Sequence, residues 1–595
     1  MSGITIKTEA LHLRHSNVTT TSRRDGKKHG STTAENSQAA TKRAKTSTSS
    51  RKIKETINNT KAGRSLSTYK APFREFDGNT IYRNRIVEEE EHRADGHYSI
   101  EELILPGCTS ALCTTFHSSQ LPWLTSIFQG IPQLTVVTAA PSGSQHVIGN
   151  ADVQRMADTQ EWYWVKARPH TGGCFHSKVL LFRSNQGLRV VISGNNLTRG
   201  QWECHRDVFW AQDFPYCGHL QHRGSFGHQL RTILSDMMAC ADTENQTMMN
   251  GRLVDLFDGI DFVEPRAQLV YSFPRIQGSN ESVGGYKQLS HAVRRALESR
   301  AMTISDNVDD SSDDDEDLPS VRMELPPRLF ATSGSFGNLQ PDLMLQMYEA
   351  MNGKESLVSK QTKWDDCDSL VKVLYPSIQT AATIDLIGLS GCLRHMPQQH
   401  FDTIPEASCR RVFHDAIPNP PTKSPASLDK TQSFHAVTHG KFLYNSRGVL
   451  YVGSHNFSKN AWGIRNSMPK NVEIGVVLAS RDEDRRAEWR SRLPCQLVGL
   501  NAKSPPSYKP YAGWKTIVKI HPLAETWTNL WRRFHALHAA KDLYKRAEGV
   551  LPENDKWLIA TPLEDQTLEE LQTMLHDYGP IIEECVKEAL GMSEE

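Results

Sequence analysis

Hydrophobic positions along the chain fall into short runs cut apart by turn residues. Leu134-Thr135-Val136-Val137 reads as a buried strand, and Leu180-Leu181-Phe182 and Val190-Val191-Ile192 as two more. Ser184-Asn185-Gln186-Gly187 separates the last two, a turn composition that predicts a hairpin. A helical stretch around Pro122-Trp123-Leu124 precedes the first run, and strands of this kind alternating with helices predict α/β layers. A second unit begins near Ala267-Gln268-Leu269-Val270-Tyr271, and Leu568 to Leu590 carries helical spacing expected of peripheral support.

Composition adds two segments to this outline. Residues 1–70 hold 15 Lys/Arg against 4 Asp/Glu and almost no aromatics, which predicts a disordered basic tail. Arg23-Arg24, Lys27-Lys28 and Lys42-Arg43-Ala44-Lys45 form basic clusters in it, the basis for expecting a nuclear protein. Eight acidic residues between Asp306 and Asp317 predict a mobile surface loop over 305–320, and Ser311 and Ser312 within it have the acidic context of a phosphorylation site. Outside these segments the charge is nearly balanced, so any nucleic acid must be met by a local groove and the tail. The mean hydropathy is -0.51, and no stretch approaches the roughly 20 apolar residues of a membrane span. Eleven cysteines without a C-x-x-C pair predict buried thiols and no zinc site. Domain boundaries follow at 1–70, 71–264 and 265–595.

The chemistry lies in an internal repeat. His176-Ser177-Lys178 precedes the hairpin, and Gly194-Asn195-Asn196-Leu197-Thr198-Arg199 and Trp202 follow it. His439-Gly440-Lys441 precedes a second hairpin, followed by Ser454-His455-Asn456-Phe457-Ser458-Lys459 and Trp462. The spacing from Asn196 to Trp202 equals that from Asn456 to Trp462. Alternate residues of a strand share a face, so each H-x-K presents its imidazole and ammonium together, and the returning strand brings an amide beside them. Two such halves packed together gather two His, two Lys and two Asn. Lys and Asn suit the non-bridging oxygens of a phosphodiester, and the imidazoles can work on opposite sides of phosphorus, one as nucleophile and one as acid/base. No carboxylate cluster accompanies them, so phosphoryl transfer without a metal or other cofactor is expected. A lone H-x-K is ordinary strand surface, and the two tryptophans read as core anchors of the repeat; the co-spaced pair carries the argument.

This repeat resembles the active-site pattern of the phospholipase D superfamily. Many members carry H-x-K-x-x-x-x-D, but here Arg183 and Ser446 stand at the Asp positions. The H-x-K…N arrangement in both copies is similar to that of the tyrosyl-DNA phosphodiesterase family. The likeness extends to Asn456-Phe457-Ser458-Lys459-Asn460-Ala461-Trp462-Gly463, Val472-Glu473-Ile474-Gly475-Val476 and Ala331-Thr332-Ser333-Gly334-Ser335-Phe336-Gly337, and spans roughly residues 95 to 560.

The resemblance implies two pseudo-symmetric phospholipase D-like α/β/α sandwich domains in one chain, with one site between them and no need of a dimer. It implies that His176 is the nucleophile of a phosphohistidine intermediate, and that His439 protonates the leaving tyrosine and then activates water. Lys178, Lys441, Asn196 and Asn456 would hold the phosphate. Glu473 and Asp207 would each steady an imidazole, and Thr332, Ser335, Ser458 and Lys459 would meet DNA phosphates. Family members can place an aromatic upstream of the first His; here that stretch is Thr171-Gly172-Gly173-Cys174-Phe175. The implied reaction is hydrolysis of the 3′-phosphotyrosyl bond between DNA and a topoisomerase I remnant, in DNA repair, by a monomer that binds single- or double-stranded 3′-blocked ends. Alternatives are a broader 3′-end-processing nuclease, a lipid phosphodiesterase and a non-catalytic DNA scaffold.

Overall fold

The computed structural model describes residues 75–85, 96–116, 121–139, 151–156, 161–167, 173–198, 201–202, 205, 207–218, 225–240, 242–262, 265–274, 284–305, 326–355, 362–375, 398–401, 403–417, 419, 439–465 and 467–497. All belong to a compact unit assigned to Ala71–Glu595. The expected tail over 1–70, the acidic run from Asp306 to Asp317 and the stretch from Leu568 to Leu590 lie outside the described residues.

Two sheets form the core. The first contains β1 (Asp77–Asn84), β2 (His97–Tyr98), β3 (Ser110–Thr115), β4 (Gln133–Ala139), β5 (Asp152–Arg155), β6 (Glu161–Ala167), β7 (Val179–Arg183), β8 (Gly187–Ser193) and β9 (Val208–Pro215). Their order is β2-β1-β9-β8-β7-β3-β4-β6-β5. The second contains β10 (Gln268–Ser272), β11 (Leu329–Thr332), β12 (Val371–Tyr375), β13 (Phe413–Asp415), β14 (Phe442–Asn445), β15 (Val449–Gly453) and β16 (Glu473–Ala479). Their order is β10-β16-β15-β14-β11-β12-β13. Removing the two edge strands β2 and β5 leaves the first sheet with the same order as the second. The pair directions also match: β3-β4-β6 and β11-β12-β13 run parallel, and every other pair in the shared order is antiparallel. The internal repeat is therefore a repeat of topology as well as of motif.

Residue alternation decides which core each strand face enters. Val179 and Leu181 of β7 join Phe442, Tyr444, Leu450 and Val452 in one cluster shared by both sheets. Leu180 and Phe182 face the other way, onto Leu103, Leu124 and Phe128. In the second sheet Leu443, Val449 and Tyr451 face outward onto Leu289, Val293, Leu343 and Met347 of helices Tyr286–Ser305 and Pro341–Ala350. The β7–β8 and β14–β15 pairs are the expected hairpins, so each H-x-K enters the sheet at the edge from which its Asn leaves. No helix among the described residues is long and apolar enough to cross a membrane.

One buried cation ties the last described helix to the first sheet. Arg83 of β1 is 1% exposed and donates from Nε to Arg492 O (2.6 Å) and from Nη2 to Ser491 O (2.7 Å) and to Leu493 O. These carbonyls end helix Glu483–Arg492, where a positive charge offsets the helix dipole and fills acceptors the helix cannot satisfy. Replacing Arg83 by Met should lower stability by about 2–4 kcal/mol, since charge-assisted bonds are lost and buried acceptors are left bare. A fall in the denaturant midpoint at unchanged slope is the expected reading; an unchanged midpoint would show that the helix end is held by other contacts.

Candidate active site

His176 sits just before β7, and a backbone bond from His176 N to Val472 O (2.9 Å) fixes it against the strand that leads into β16. Its Nδ1 lies 2.8 Å from Glu473 Oε2 and 3.0 Å from Ser454 O. Ser454 O can only accept, so Nδ1 carries a proton. Glu473 is fully buried, which pushes its carboxyl above the usual range, but four neighbours oppose that shift: the nearby His455 and Lys178, Ser454 Oγ donating to Oε2 (2.6 Å) and Asn471 Nδ2 donating to Oε1 (3.0 Å). Ser454 Oγ itself accepts from Ile474 N (2.9 Å), which commits its hydroxyl proton to Glu473.

The second imidazole is held in the reverse sense. His439 Nδ1 donates to Gly194 O (2.8 Å), the counterpart in the first repeat of Ser454. The Lys441 ammonium lies along the ring edge, 2.8 Å from Nδ1 and 3.1 Å from Nε2, and donates to Gly194 O at 3.2 Å. With Nδ1 donating to the carbonyl, Nε2 is the ring nitrogen that can accept, and the Lys441 ammonium lies beside it. Burial, then Lys441, Lys178 and His176, hold His439 well below the ordinary histidine pKa, so the ring is neutral at physiological pH. The two ring centroids stand 6.4 Å apart at 54°. One tetrahedral group can touch both rings across that gap, with contacts of roughly 3–3.5 Å on each side.

The cations and amides line the same gap. Lys178 is buried, donates to His176 O (2.8 Å), and is lowered to about 8 by burial, against the opposing pull of Glu473. Asn196 is buried with its Oδ1 unpaired among the described residues, and its backbone N–H donates to Gln201 Oε1 (2.5 Å). Asn456 Oδ1 accepts from Ser333 Oγ and from Ser335 N, both at 3.1 Å, which turns its Nδ2 donors toward other acceptors. Gly334 lies against these groups. A Cβ there would stand 3.3 Å from His439 Cδ2 and 3.4 Å from the Lys441 ammonium, in the space a phosphate needs.

Other expected residues are placed differently. Asp207 is fully buried just before β9, as Glu473 opens β16, but among the described residues the bonds of His439 run to Gly194 and Lys441 and not to Asp207. Thr332 is buried at the end of β11, with its hydroxyl on Leu374 O (3.4 Å). Ser458 caps helix Lys459–Trp462 by accepting from Ala461 N, and Lys459 pairs with Asp342 (3.0 Å). Of the four residues expected at DNA, Ser335 is bonded through its backbone N–H to Asn456 Oδ1 (3.1 Å). Phe175 is buried against Val472, and the ring beside His176 is Phe116, with centroids 5.6 Å apart. Arg183 ends β7 and donates to Asp258 O, and Ser446 follows β14 and accepts from Arg328 N. Gly194, Ser333 and Ser454 stand in the quoted motifs with no role assigned from the sequence, and Asn471 lies just outside them. Asn471 had a signal, since it stands two residues before Glu473 and so shares its strand face.

Among the described residues no group of three or more His, Cys, Asp or Glu side chains is placed to hold a metal ion. The positive charge of the site comes from Lys178 and Lys441.

A crystal structure of yeast tyrosyl-DNA phosphodiesterase aligns at a TM-score of 0.48 and 16% identity, covering 68% of this chain and 91% of that one. A mutant of the yeast protein gives 0.48 and 14%, covering 68% and 90%. Phosphatidylserine synthase of Haemophilus influenzae gives 0.35 and 10%, covering 82% and 98%. No curated protein sequence matches. The sequence profile of the tyrosyl-DNA phosphodiesterase family matches residues 80–503, a span that takes in both H-x-K motifs, both site asparagines and Glu473, and the chain thus belongs to the tyrosyl-DNA phosphodiesterase family and is a phosphodiester hydrolase.

Proposed function

We propose that this chain hydrolyses 3′-phosphotyrosyl bonds joining DNA to topoisomerase I remnants, through a phosphohistidine on His176 and without a metal ion. The observation that carries the reading is the pair of facing imidazoles, each with Nδ1 held by the other half of the molecule and the ring centroids 6.4 Å apart. His176 Nε2 attacks phosphorus, and the positive charge that forms on its ring is met by Glu473 at 2.8 Å. Lys178, Lys441, Asn196 and Asn456 hold the non-bridging oxygens and stabilise the charge that builds on them. His439 protonates the departing tyrosine oxygen. Its low pKa in the free site suits the return step, in which it takes a proton from water; the single negative charge of the bound phosphodiester raises it for the first step. Water then attacks the phosphohistidine, releasing a DNA 3′-phosphate and restoring His176. A tyrosine leaving group, with a pKa of about 10, departs more readily than a sugar hydroxyl. Action as a monomer in the nucleus, guided there by the basic tail, completes the proposal.

Two measurements test it. In excess EDTA the wild-type protein should convert a 3′-phosphotyrosyl oligonucleotide to its 3′-phosphate, and His176→Ala should lose at least about 1,000-fold in rate. Turnover that EDTA abolishes, or full activity in the variant, would overturn the mechanism. The second measurement is the basic limb of the pH profile. Lys178 must be charged to grip phosphate, and its free-site value is lowered to about 8, so kcat/KM should fall as pH rises past about 8. Lys178→Arg, which stays charged, should carry less activity but no limb in that range. A profile flat to pH 10 in the wild type would show that the Lys178 charge is not required. For stability the sign is opposite: a lysine with a lowered native pKa binds fewer protons than in the unfolded chain between about 8 and 10.5, so its contribution grows more favourable as pH rises through that window.

A further inference from the structure

Beneath the site runs a buried chain of side chains that the reaction as described does not use. His455 is 2% exposed and lies between Ser454 and Asn456, the residues that hold His176 and the phosphate. Its Nε2 stands 2.8 Å from Ser272 Oγ, and Ser272 spends its own hydroxyl proton on Ala461 O (2.7 Å). Nε2 is therefore the donor, and Nδ1 accepts from the Tyr451 hydroxyl at 2.5 Å. The ring also stacks on Trp462, centroids 4.1 Å apart at 22°. Both protonation states are fixed: burial holds His455 down at about 3, and drives Tyr451 well above its usual value, so the imidazole stays neutral and the phenol stays a donor.

The sheet is shaped to admit this chain. Gly453 and Gly475 are register partners on β15 and β16; a Cβ on Gly475 would run into the Tyr451 ring, and one on Gly453 into its hydroxyl. The phenol thus passes over two bare backbones to reach the residue that follows Ser454. The first repeat has no equivalent: Val191 and Asn195 occupy the corresponding positions, and neither can form the bonded pair. The asymmetry matches a difference in duty, because segment 454–456 bears on His176 and Glu473, whereas segment 194–196 bears on His439.

We propose that Tyr451, His455 and Ser272 form a positioning unit that locks segment 454–456, so that Ser454 aims the His176 ring and Asn456 presents its amide to the phosphate. Three fixed points — the hydroxyl of Ser272 on β10, the phenol of β15 and the Trp462 ring — leave the His455 backbone no freedom to rotate Ser454 or Asn456 out of line. This rests on the roles proposed for His176 and Asn456.

The test compares Tyr451→Phe, His455→Ala and the double variant with wild type, in the full chain, on a 3′-phosphotyrosyl oligonucleotide. A second readout is the downfield proton resonance of the His176 Nδ1–H, identified by its loss in His176→Ala. Each single variant should lose about 10- to 100-fold in kcat with KM within about twofold, the size expected when an outer partner of a reacting group is removed. The His176 resonance should shift or broaden in both, and the double variant should cost no more than His455→Ala alone, since the two act as one unit. Tyr451→Phe removes a single hydroxyl and decides the matter if His455→Ala does not fold. Folded variants with wild-type kcat and an unmoved resonance would overturn the proposal. A wild type inactive on this substrate would overturn the substrate reading, while the resonance would still decide whether the unit aims His176.

Discussion

Each imidazole of this site is held by the other half of the molecule. His176 belongs to the first sheet, yet its Nδ1 rests on Glu473 and Ser454 of the second; His439 belongs to the second, and its Nδ1 rests on Gly194 of the first. Neither half alone fixes a tautomer, and an imidazole with an unfixed tautomer has no defined lone pair to aim. The shared apolar cluster between the sheets, from Val179 and Leu181 on one side to Phe442 and Val452 on the other, is thus a condition of the chemistry. Packing the halves together buries Glu473 and Lys178 beside one another, and burial accounts for the direction of both their shifts.

Much of this was legible in the sequence because it is periodic. Two H-x-K motifs each open a hairpin whose return strand is followed three residues later by an Asn, and the structure brings these groups to corresponding strand ends of two sheets with matching strand order. Glu473 was found by resemblance, and its bond to His176 follows from its place at the start of β16. Contacts set by packing were not legible. The Ser333 hydroxyl and the Gly334 backbone reach Asn456 and Lys441 from a loop more than a hundred residues away, and no local pattern announces that approach. Asp207 illustrates the limit of the repeat: the position is equivalent, but the carbonyl of Gly194 and the ammonium of Lys441 take the ring of His439 in its place.

Residues expected to meet DNA show a similar division. Ser458 and Lys459 lie in a motif whose hydroxyl caps a helix and whose ammonium pairs with Asp342, duties that a sequence pattern cannot separate from phosphate binding. The partly exposed Lys459 pair is the kind of surface ion pair that contributes little to stability, which leaves its cation available to exchange partners. Phe175 is committed to the core by its bridge to Val472, so the apolar ring beside His176 is Phe116, which directly follows β3, and not one on the segment before His176.

In the proposed reaction His176 carries the covalent phosphoryl intermediate and His439 activates the water that clears it. Incubating His439→Asn with a 3′-phosphotyrosyl oligonucleotide, digesting the product and locating the DNA adduct by mass spectrometry tests that claim directly. The account predicts a covalent DNA–protein species, labile to acid as a phosphoramidate is, carried on the peptide that contains His176. An adduct on any other residue, or full turnover by the variant with no adduct at all, would contradict it.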